Sequence, residues 1–380
     1  MKLSTSVLLL AGVSLFSLSS QAEENLRLIE IQPGGPQRWV TSLELDQISH
    51  SAHAKGRCGG FMDVTDFAKP QALGFVEALV DFDKIQPRNE SIVQPMLQNV
   101  DAGDLMAIIT HLSNNFHNRH YDRSPTGIAA AEWIKAQYEK IGASRNDVKV
   151  ELVNHRNFDQ PSVIATIQGS GPNKNEIVII GGHIDSINQD AFFFSKHKAR
   201  APGADDNASG TATVMQTFKL LVDSGFRPNR TIQFMGYAGE EAGLLGSQDI
   251  AKKYRDQKKA VVAVMQFDMT MLPEPNPTIQ LINDHTSEPL NRLTGRLLDH
   301  YVKAKWALSA CGYACSDHAS WTRSGYSATF PTEASIRFVE TENKTIHTEK
   351  DRVEILNPGF GTHFLKLAIA FAVEVAQPAL

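Results

Sequence analysis

Residues 177–186 read Ile177-Val178-Ile179-Ile180-Gly181-Gly182-His183-Ile184-Asp185-Ser186. Four consecutive branched apolar residues suit a strand buried on both faces, as in the middle of a sheet covered by helices on either side. The run then passes into a tail holding a histidine and an aspartate. Ligands in open α/β sheets gather beyond the carboxyl ends of the strands, which makes that tail a candidate site.

The flanking sequence repeats the pattern. Residues 148–153, 162–167, 231–237 and 261–267 are β-rich runs, and 278–282 and 328–330 add two shorter ones. Between and around them lie helix-period segments at 102–116, 127–141, 209–223, 241–254, 288–303 and 359–375, the second ending at Gly142 as a stop. Strands alternating with helices predict an α/β fold with a mostly parallel central sheet and helices on both faces. Before residue 90 the periodicity is weak, and that region reads as a separate unit.

Composition narrows the function. With 42% hydrophobic and 21% charged residues, the 380-residue chain has the make-up of a folded globule rather than a disordered or fibrous one. A net charge of -5 lacks the basic footprint of a nucleic-acid binder. Three cysteines are too few for a disulfide-built scaffold. Met1-Lys2, an apolar stretch over 7–18 and Ser20-Gln21-Ala22 describe a signal peptide cleaved after Ala22. The apolar stretch is shorter than the roughly 20 residues of a membrane span. Secretion or periplasmic export is expected, in a compartment where disulfides persist. The apolar 365–375 segment carries Lys366 and Glu374, which suits a packed amphipathic helix.

Two further strand ends carry acids: Gly239-Glu240-Glu241 follows 231–237, and Asp268-Met269 closes 261–267. Asp205-Asp206-Asn207 opens a helix, and Ile346-His347 lies far downstream. Each alone has a structural explanation, as a helix cap, a dipole partner or a satisfied core histidine. Together they place several carboxylates in one cleft with little Lys or Arg nearby. Carboxylates so crowded repel, and two histidines with acidic oxygens match the ligand preference of zinc and similar divalent metals.

In this order, segments 181–186, 201–210, 237–247, 265–270, 311–321 and 346–351 resemble those of the secreted bacterial leucyl aminopeptidases, di-zinc metallo-exopeptidases. The match runs from about Asp101 to the C-terminus. The resemblance implies that Asp206 bridges two Zn(2+) ions, with His183 and Asp268 completing one ligand set and Glu241 and His347 the other. It implies Glu240 as general base on a water shared by the metals, and Asp185 as acceptor for the second ring N–H of His183. Cys311 and Cys315 would form a disulfide holding Tyr313 toward the developing oxyanion. Met269, Tyr313, Phe330 and Ile346 would line an apolar pocket for a leucine-like first side chain. The loop holding Phe192-Phe193-Phe194 departs from the family pattern.

The implied organisation is a signal peptide (1–22), a propeptide (23–88) that acts in cis, and a catalytic domain (89–380). Cys58 would leave with the propeptide. Peptides with a free N-terminus are the expected partners of a monomer that binds neither nucleic acid nor, once processed, membrane. A related zinc carboxypeptidase, a glutaminyl cyclase-like enzyme and an inactive binding protein on the same scaffold are the competing expectations. Cobalt or manganese could occupy the same donors.

Overall fold

The computed structural model describes residues 26–31, 35–55, 57, 60–65 and 79–379. The expected signal segment and Cys58 lie outside the described residues. An N-terminal unit contains β1 (Arg27–Glu30), β2 (Gln37–Val40), α1 (Ser42–His53) and β3 (Met62–Asp63). The body follows with α2 (Glu90–Leu97), α3 (Ala102–Asn114), α4 (Pro125–Gly142), β4 (Val148–Val153), β5 (Ser162–Ile167) and β6 (Glu176–His183). Next come α5 (Gly210–Asp223), β7 (Thr231–Tyr237), α6 (Leu245–Asp256), β8 (Ala260–Gln266), β9 (Ile279–Ile282) and α7 (Glu288–Leu297). The chain finishes with β10 (Trp306–Ser309), α8 (His318–Arg323), β11 (Ala328–Thr332), α9 (Ile336–Thr341) and α10 (Pro358–Ala376).

The body is built on an eight-stranded sheet of order β10-β9-β11-β8-β6-β7-β5-β4. It is parallel through β7, β6, β8 and β11, and antiparallel where β5, β4 and β9 join. Parallel pairing is thus confined to the middle and to the β9–β10 edge. The opening run behaves as its composition demands. Val178 and Ile180 enter the large core with α3, α4, α5 and α10, while Ile177 and Ile179 enter a second core with Ile250, Tyr254 and Trp321. Alternate side chains of one strand therefore feed two hydrophobic layers, which is why no polar residue interrupts it.

Helix starts follow local chemistry. The Asp101 carboxylate accepts the amides of Gly103 and Asp104 at the head of α3, and Ser124 accepts that of Gly127 at the head of α4. Gly142 does end α4, but not as a left-handed cap. The next residue, Ala143, is right-handed, and a Cβ on Gly142 would lie 2.5 Å from a Val148 methyl. Close approach of β4 is what requires the glycine. The segment expected as one helix over 241–254 is broken instead, because Gly243 and Leu244 take positive φ (102° and 62°) ahead of α6. Helix α10 is long and apolar enough to cross a membrane by length and composition, yet 78% of its most apolar window is buried inside the body. It is buried on nearly all sides rather than amphipathic, with Glu374 satisfied internally by the amides of Arg88 and Asn89.

The N-terminal unit, unreadable from periodicity, is a three-stranded antiparallel sheet with α1 beside it. A capping box formed by Thr41 and Glu44 starts that helix.

Candidate metal centre

The sheet's carboxyl edge assembles the acids and histidines. His183 is the last residue of β6; Glu240 and Glu241 form a short 3₁₀ turn after β7; Asp268 follows β8. Asp206 lies in the irregular turn Ala204–Ser209 leading into α5, and its peptide bond to Asn207 is cis. His347 arrives on the connection between α9 and α10, with a left-handed backbone (φ 57°). Two groups of three result, His183–Asp206–Asp268 and Asp206–Glu241–His347, and in each the ligand atoms lie within 4.8 Å of one another. Asp206 belongs to both. Its Oδ1 is 3.0 Å from His183 Nε2, and its Oδ2 is 2.8 Å from His347 Nε2. Asp268 Oδ1 stands 3.3 Å from His183 Nε2, and Glu241 Oε2 stands 3.2 Å from His347 Nε2.

A shell of hydrogen bonds holds these groups. Asp185 places Oδ1 3.3 Å from His183 Nδ1, and its two oxygens accept the Glu240 and Glu241 amides at 3.1 and 3.2 Å. One carboxylate thus orients a histidine of the first group and the turn carrying both glutamates. Three features absent from the sequence expectations do similar work. Asp351 accepts the Asp205 and Asp206 amides at 2.8 and 2.9 Å. Ser316 Oγ donates to Asp268 Oδ2 at 2.6 Å. Asn207 donates to Phe267 O and accepts from Gly210 N and Met269 N, tying the Asp206 turn to the end of β8. Asp205 turns away, accepting from Met271 N.

Arg119 is the fourth such feature. Its fully buried guanidinium donates to Ile184 O (2.9 Å), Pro202 O (2.5 Å), Gly203 O (2.8 Å) and Leu112 O (3.3 Å). It bolts the His183–Asp185 tail to the loop before Asp206, and burial lowers its pKa to about 10. No motif flags it; a cation between α3 and α4 reads as surface until the fold encloses it.

The electrostatics of the cluster describe a site for cations. All five candidate ligands and Glu240 are at most 3% exposed. Burial drives the Glu240 carboxyl well above its usual range, reinforced by Glu241 and Asp268 and opposed by His183. Glu241 rises to about 7, again through burial first, with the Asp206 charge adding to it. Burial opposes charge on His183 and His347, but Asp268 and Glu241 respectively outweigh it; His183 is raised well above normal and His347 to about 10. Asp206 is lowered despite burial, because both imidazoles donate to it. Protein alone therefore balances this cluster by holding protons. Two buried triads of nitrogen and oxygen donors sharing one carboxylate fit divalent cations of zinc's ligand preference.

The family model for Peptidase family M28 matches residues 162–372. The chain belongs to that family. A probable leucine aminopeptidase of the fungus Arthroderma otae is 36% identical over 355 residues, covering 90% of this chain and 91% of the relative. Among solved structures, the LapA aminopeptidase of Legionella pneumophila gives a TM-score of 0.77 at 30% identity, covering 90% of this chain and 92% of that one. LapB of the same organism gives 0.77 at 27% identity, covering 92% and 99%. The chain is an aminopeptidase of the metallohydrolase type, and zinc is typical of its family.

Around the centre, Cys311 and Cys315 are joined in a disulfide. The amides of Cys311 and Gly312 donate to Asp284 at 3.0 and 2.6 Å, fixing the small loop from below. The four expected pocket residues are all buried but fall into two clusters. Tyr313 and Phe330 pack with Ile282 and the disulfide, whereas Met269 and Ile346 pack with Ala334 and Val339. Helix α9 touches both, through Ile336 on the first and Val339 on the second. In the departing loop, Phe192 is 89% exposed.

Proposed function

We infer that this M28 aminopeptidase is a secreted enzyme that removes a large apolar, leucine-like N-terminal residue from peptides, using two zinc ions. The observation that carries the two-ion assignment is the shared Asp206, each of whose oxygens faces a different histidine. His183, Asp206 and Asp268 would hold one ion, and Asp206, Glu241 and His347 the other. The pair would supply Lewis acidity, lowering the pKa of water and polarising the scissile carbonyl. The shared Asp206, with Glu240, Glu241 and Asp268, would give four carboxylates against four metal charges.

The residues of the chain supply the rest. Glu240 is assigned as the general base: it is buried, and its Oε2 has no hydrogen-bond partner among the described residues. Burial raises its proton affinity, which the positive charge of bound cations would offset so that the carboxylate is ionised when it acts. Such a group can take a proton from the attacking water and deliver it to the leaving amine. Tyr313, on the disulfide loop, is assigned to the developing oxyanion. The clusters bridged by α9 are assigned to the first side chain.

The N-terminal unit is assigned as a pro-region acting in cis. Arg57 stands over the Tyr313 ring, 5.5 Å from its centroid, and pairs with Glu340 of α9 at 2.7 Å. Ser49 and Asp46 reach the loop after β6, through Gln189 and Lys196. A cover over the side of the centre assigned to substrate is what a zymogen needs.

Leucine p-nitroanilide hydrolysis by the processed, zinc-loaded protein tests the assignment. Chelation should abolish activity and zinc restore it. Glu240→Gln should keep two zincs per chain and lose about 10²–10⁴-fold in kcat. Full activity in that variant defeats the base assignment; one zinc per fully active chain defeats the two-ion centre.

A further inference from the structure

A second aspartate–histidine–hydroxyl chain lies apart from the metal centre. His155 Nδ1 is 2.8 Å from Asp249 Oδ2, and its Nε2 is 2.8 Å from Ser162 Oγ. Ser162 Oγ also accepts the Ala238 amide at 3.0 Å. With two lone pairs and one proton, Ser162 Oγ holds the Ala238 amide and bonds His155 Nε2 at the same time. His155 thereby links the Asp249 carboxylate to Ser162, and the chain of hydrogen bonds runs from the surface to the end of β7.

These residue types match a serine hydrolase triad, but their setting does not. Ser162 is fully buried at the start of β5, and a Cβ on Gly246 would come within 2.9 Å of its oxygen. Its second bond is to a structural amide, which ties the oxygen to the backbone at the end of β7. A nucleophile sealed under α6 reaches no substrate.

We propose that Asp249, His155 and Ser162 are positioning residues for Glu240. The proposal rests on Glu240 being the base. The peptide 238–241 is held from two sides. Asp185 takes the Glu240 and Glu241 amides on the metal side, and Ser162 takes the Ala238 amide on the other. Between these anchors Gly239 turns left-handed (φ 69°), and the Phe158 ring lies 3.5 Å from where a Cβ would sit, an ordinary packing distance. His155 stacks on that same ring, with centroids 4.6 Å apart. One imidazole therefore reaches the turn through Ser162 to Ala238 and also backs the ring that packs beside Gly239. With its Oε2 lacking a hydrogen-bond partner among the described residues, Glu240 takes its aim from this backbone. Catalytic geometry tolerates little displacement: about 1 Å can cost about 100-fold.

The test compares the zinc-loaded wild-type protein with Ser162→Ala, Asp249→Asn and Asp249→Glu on leucine p-nitroanilide, with zinc content and melting midpoint read on the same samples. Ser162→Ala leaves the Ala238 amide unpaired and should lower kcat about tenfold with KM and zinc unchanged. Asp249→Asn should lower kcat about two- to threefold, and Asp249→Glu should recover most of it. Should Ser162→Ala fail to fold, the Asp249 pair decides alone, because that side chain is 55% exposed and its replacement spares the core. Wild-type kcat in the foldable variants overturns the proposal. So does a loss of kcat explained by lost zinc, or matched by a rise in KM. Ester hydrolysis that survives chelation and vanishes in Ser162→Ala makes the serine a nucleophile and equally overturns it. A fully active Glu240→Gln removes the base assignment itself; an inactive one beside an unimpaired Ser162→Ala removes only the positioning role.

Discussion

The body and the N-terminal unit are held together by opposite means. In the body one continuous core runs from Phe82 to Ala376, with α10 buried through its middle. The unit has a core of Ile29, Val40 and Phe61, flanked by Leu45 and Ile48. It grips the body through Leu28, Met62 and Val64 against Leu244, Ala314 and Ala319, and through the pairs Asp46–Lys196, Arg57–Glu340 and Glu30–Arg323. A core that small contributes too little to stand alone, whereas the body exceeds the size at which one core suffices. The unit's attachment points lie on the connections after β6, after β7, around α8 and on α9, which also carry the candidate ligands and pocket. The difference separates a part built to stay folded from one built to be held.

The largest effect that tests this contrast is a cavity in the body. Phe364 of α10 is fully buried and meets Phe267 and Phe360 edge-on. Phe364→Ala should cost about 3–5 kcal/mol, read as a lower denaturation midpoint. Protease cleavage within 26–65 at room temperature should stay as in the wild type. If the cavity loosens the unit equally, the two regions share one cooperative fold and the contrast fails.

The second effect sharpens where one region ends. Residues up to 88 read as pro-region from the sequence, yet 82–88 pack on the body. Phe82 is buried in the large core, and Asp83 pairs with Arg292 of α7 at 2.6 Å. Glu374 accepts the amides of Arg88 (2.8 Å) and Asn89 (2.9 Å), the Asn89 side chain and the Tyr301 hydroxyl. If the proposed pro-region is removed, the retained chain is expected to begin before Phe82, an N-terminus that mass spectrometry reads directly. Glu374→Gln should cost about 1–3 kcal/mol, because an amide cannot accept four donors. That cost should be the same whether or not 26–65 is present; a cost seen only in the full chain would return 82–88 to the pro-region.

Which parts could be read without coordinates follows the same division. Strands β6 and β8 announce themselves because burial on both faces forces long apolar runs; β7 is equally buried but interrupted by Gln233, and the ends of all three carry candidate ligands. The exposed-edge strand β10 has no such constraint, since none of its residues is fully buried, and it went unread. Pro95 inside α2 and the six-residue lengths of α8 and α9 hide those helices from periodicity. The antiparallel margins depend on which strand finds which neighbour, a long-range choice that no local run encodes. Of the adjacent Asp205 and Asp206, the resemblance pointed to Asp206, and the fold brings Asp206 into both ligand groups. Arg119, Asp351 and Ser316 were not legible as support, because each acts on backbone or side chains far away in sequence.

The smallest effect is the most discriminating, because one lysine touches both regions. Lys196 Nζ contacts Asp46 Oδ1 of α1 at 2.6 Å and Gln189 Oε1 of the body at 2.5 Å. The Gln189 amide in turn donates to the carbonyl of His347 at 2.8 Å. The ion pair is mostly buried, with side chains 9% and 18% exposed. Asp46→Asn keeps the shape and a carbonyl acceptor but removes the charge, so the loss should be about 1 kcal/mol. It should appear as faster proteolytic release of 26–65, about fivefold if the unit opens before it is cut. The body's midpoint should not move, because the Lys196–Gln189 contact survives. Lys196→Met removes both contacts, and should add a measurable change at His347, read as weaker zinc retention against a chelator. Equal zinc retention in the two variants would mean that the lysine serves the unit alone. A fall in the body's midpoint with Asp46→Asn would mean that the unit stabilises the body it covers, and removing it would then carry a cost in stability.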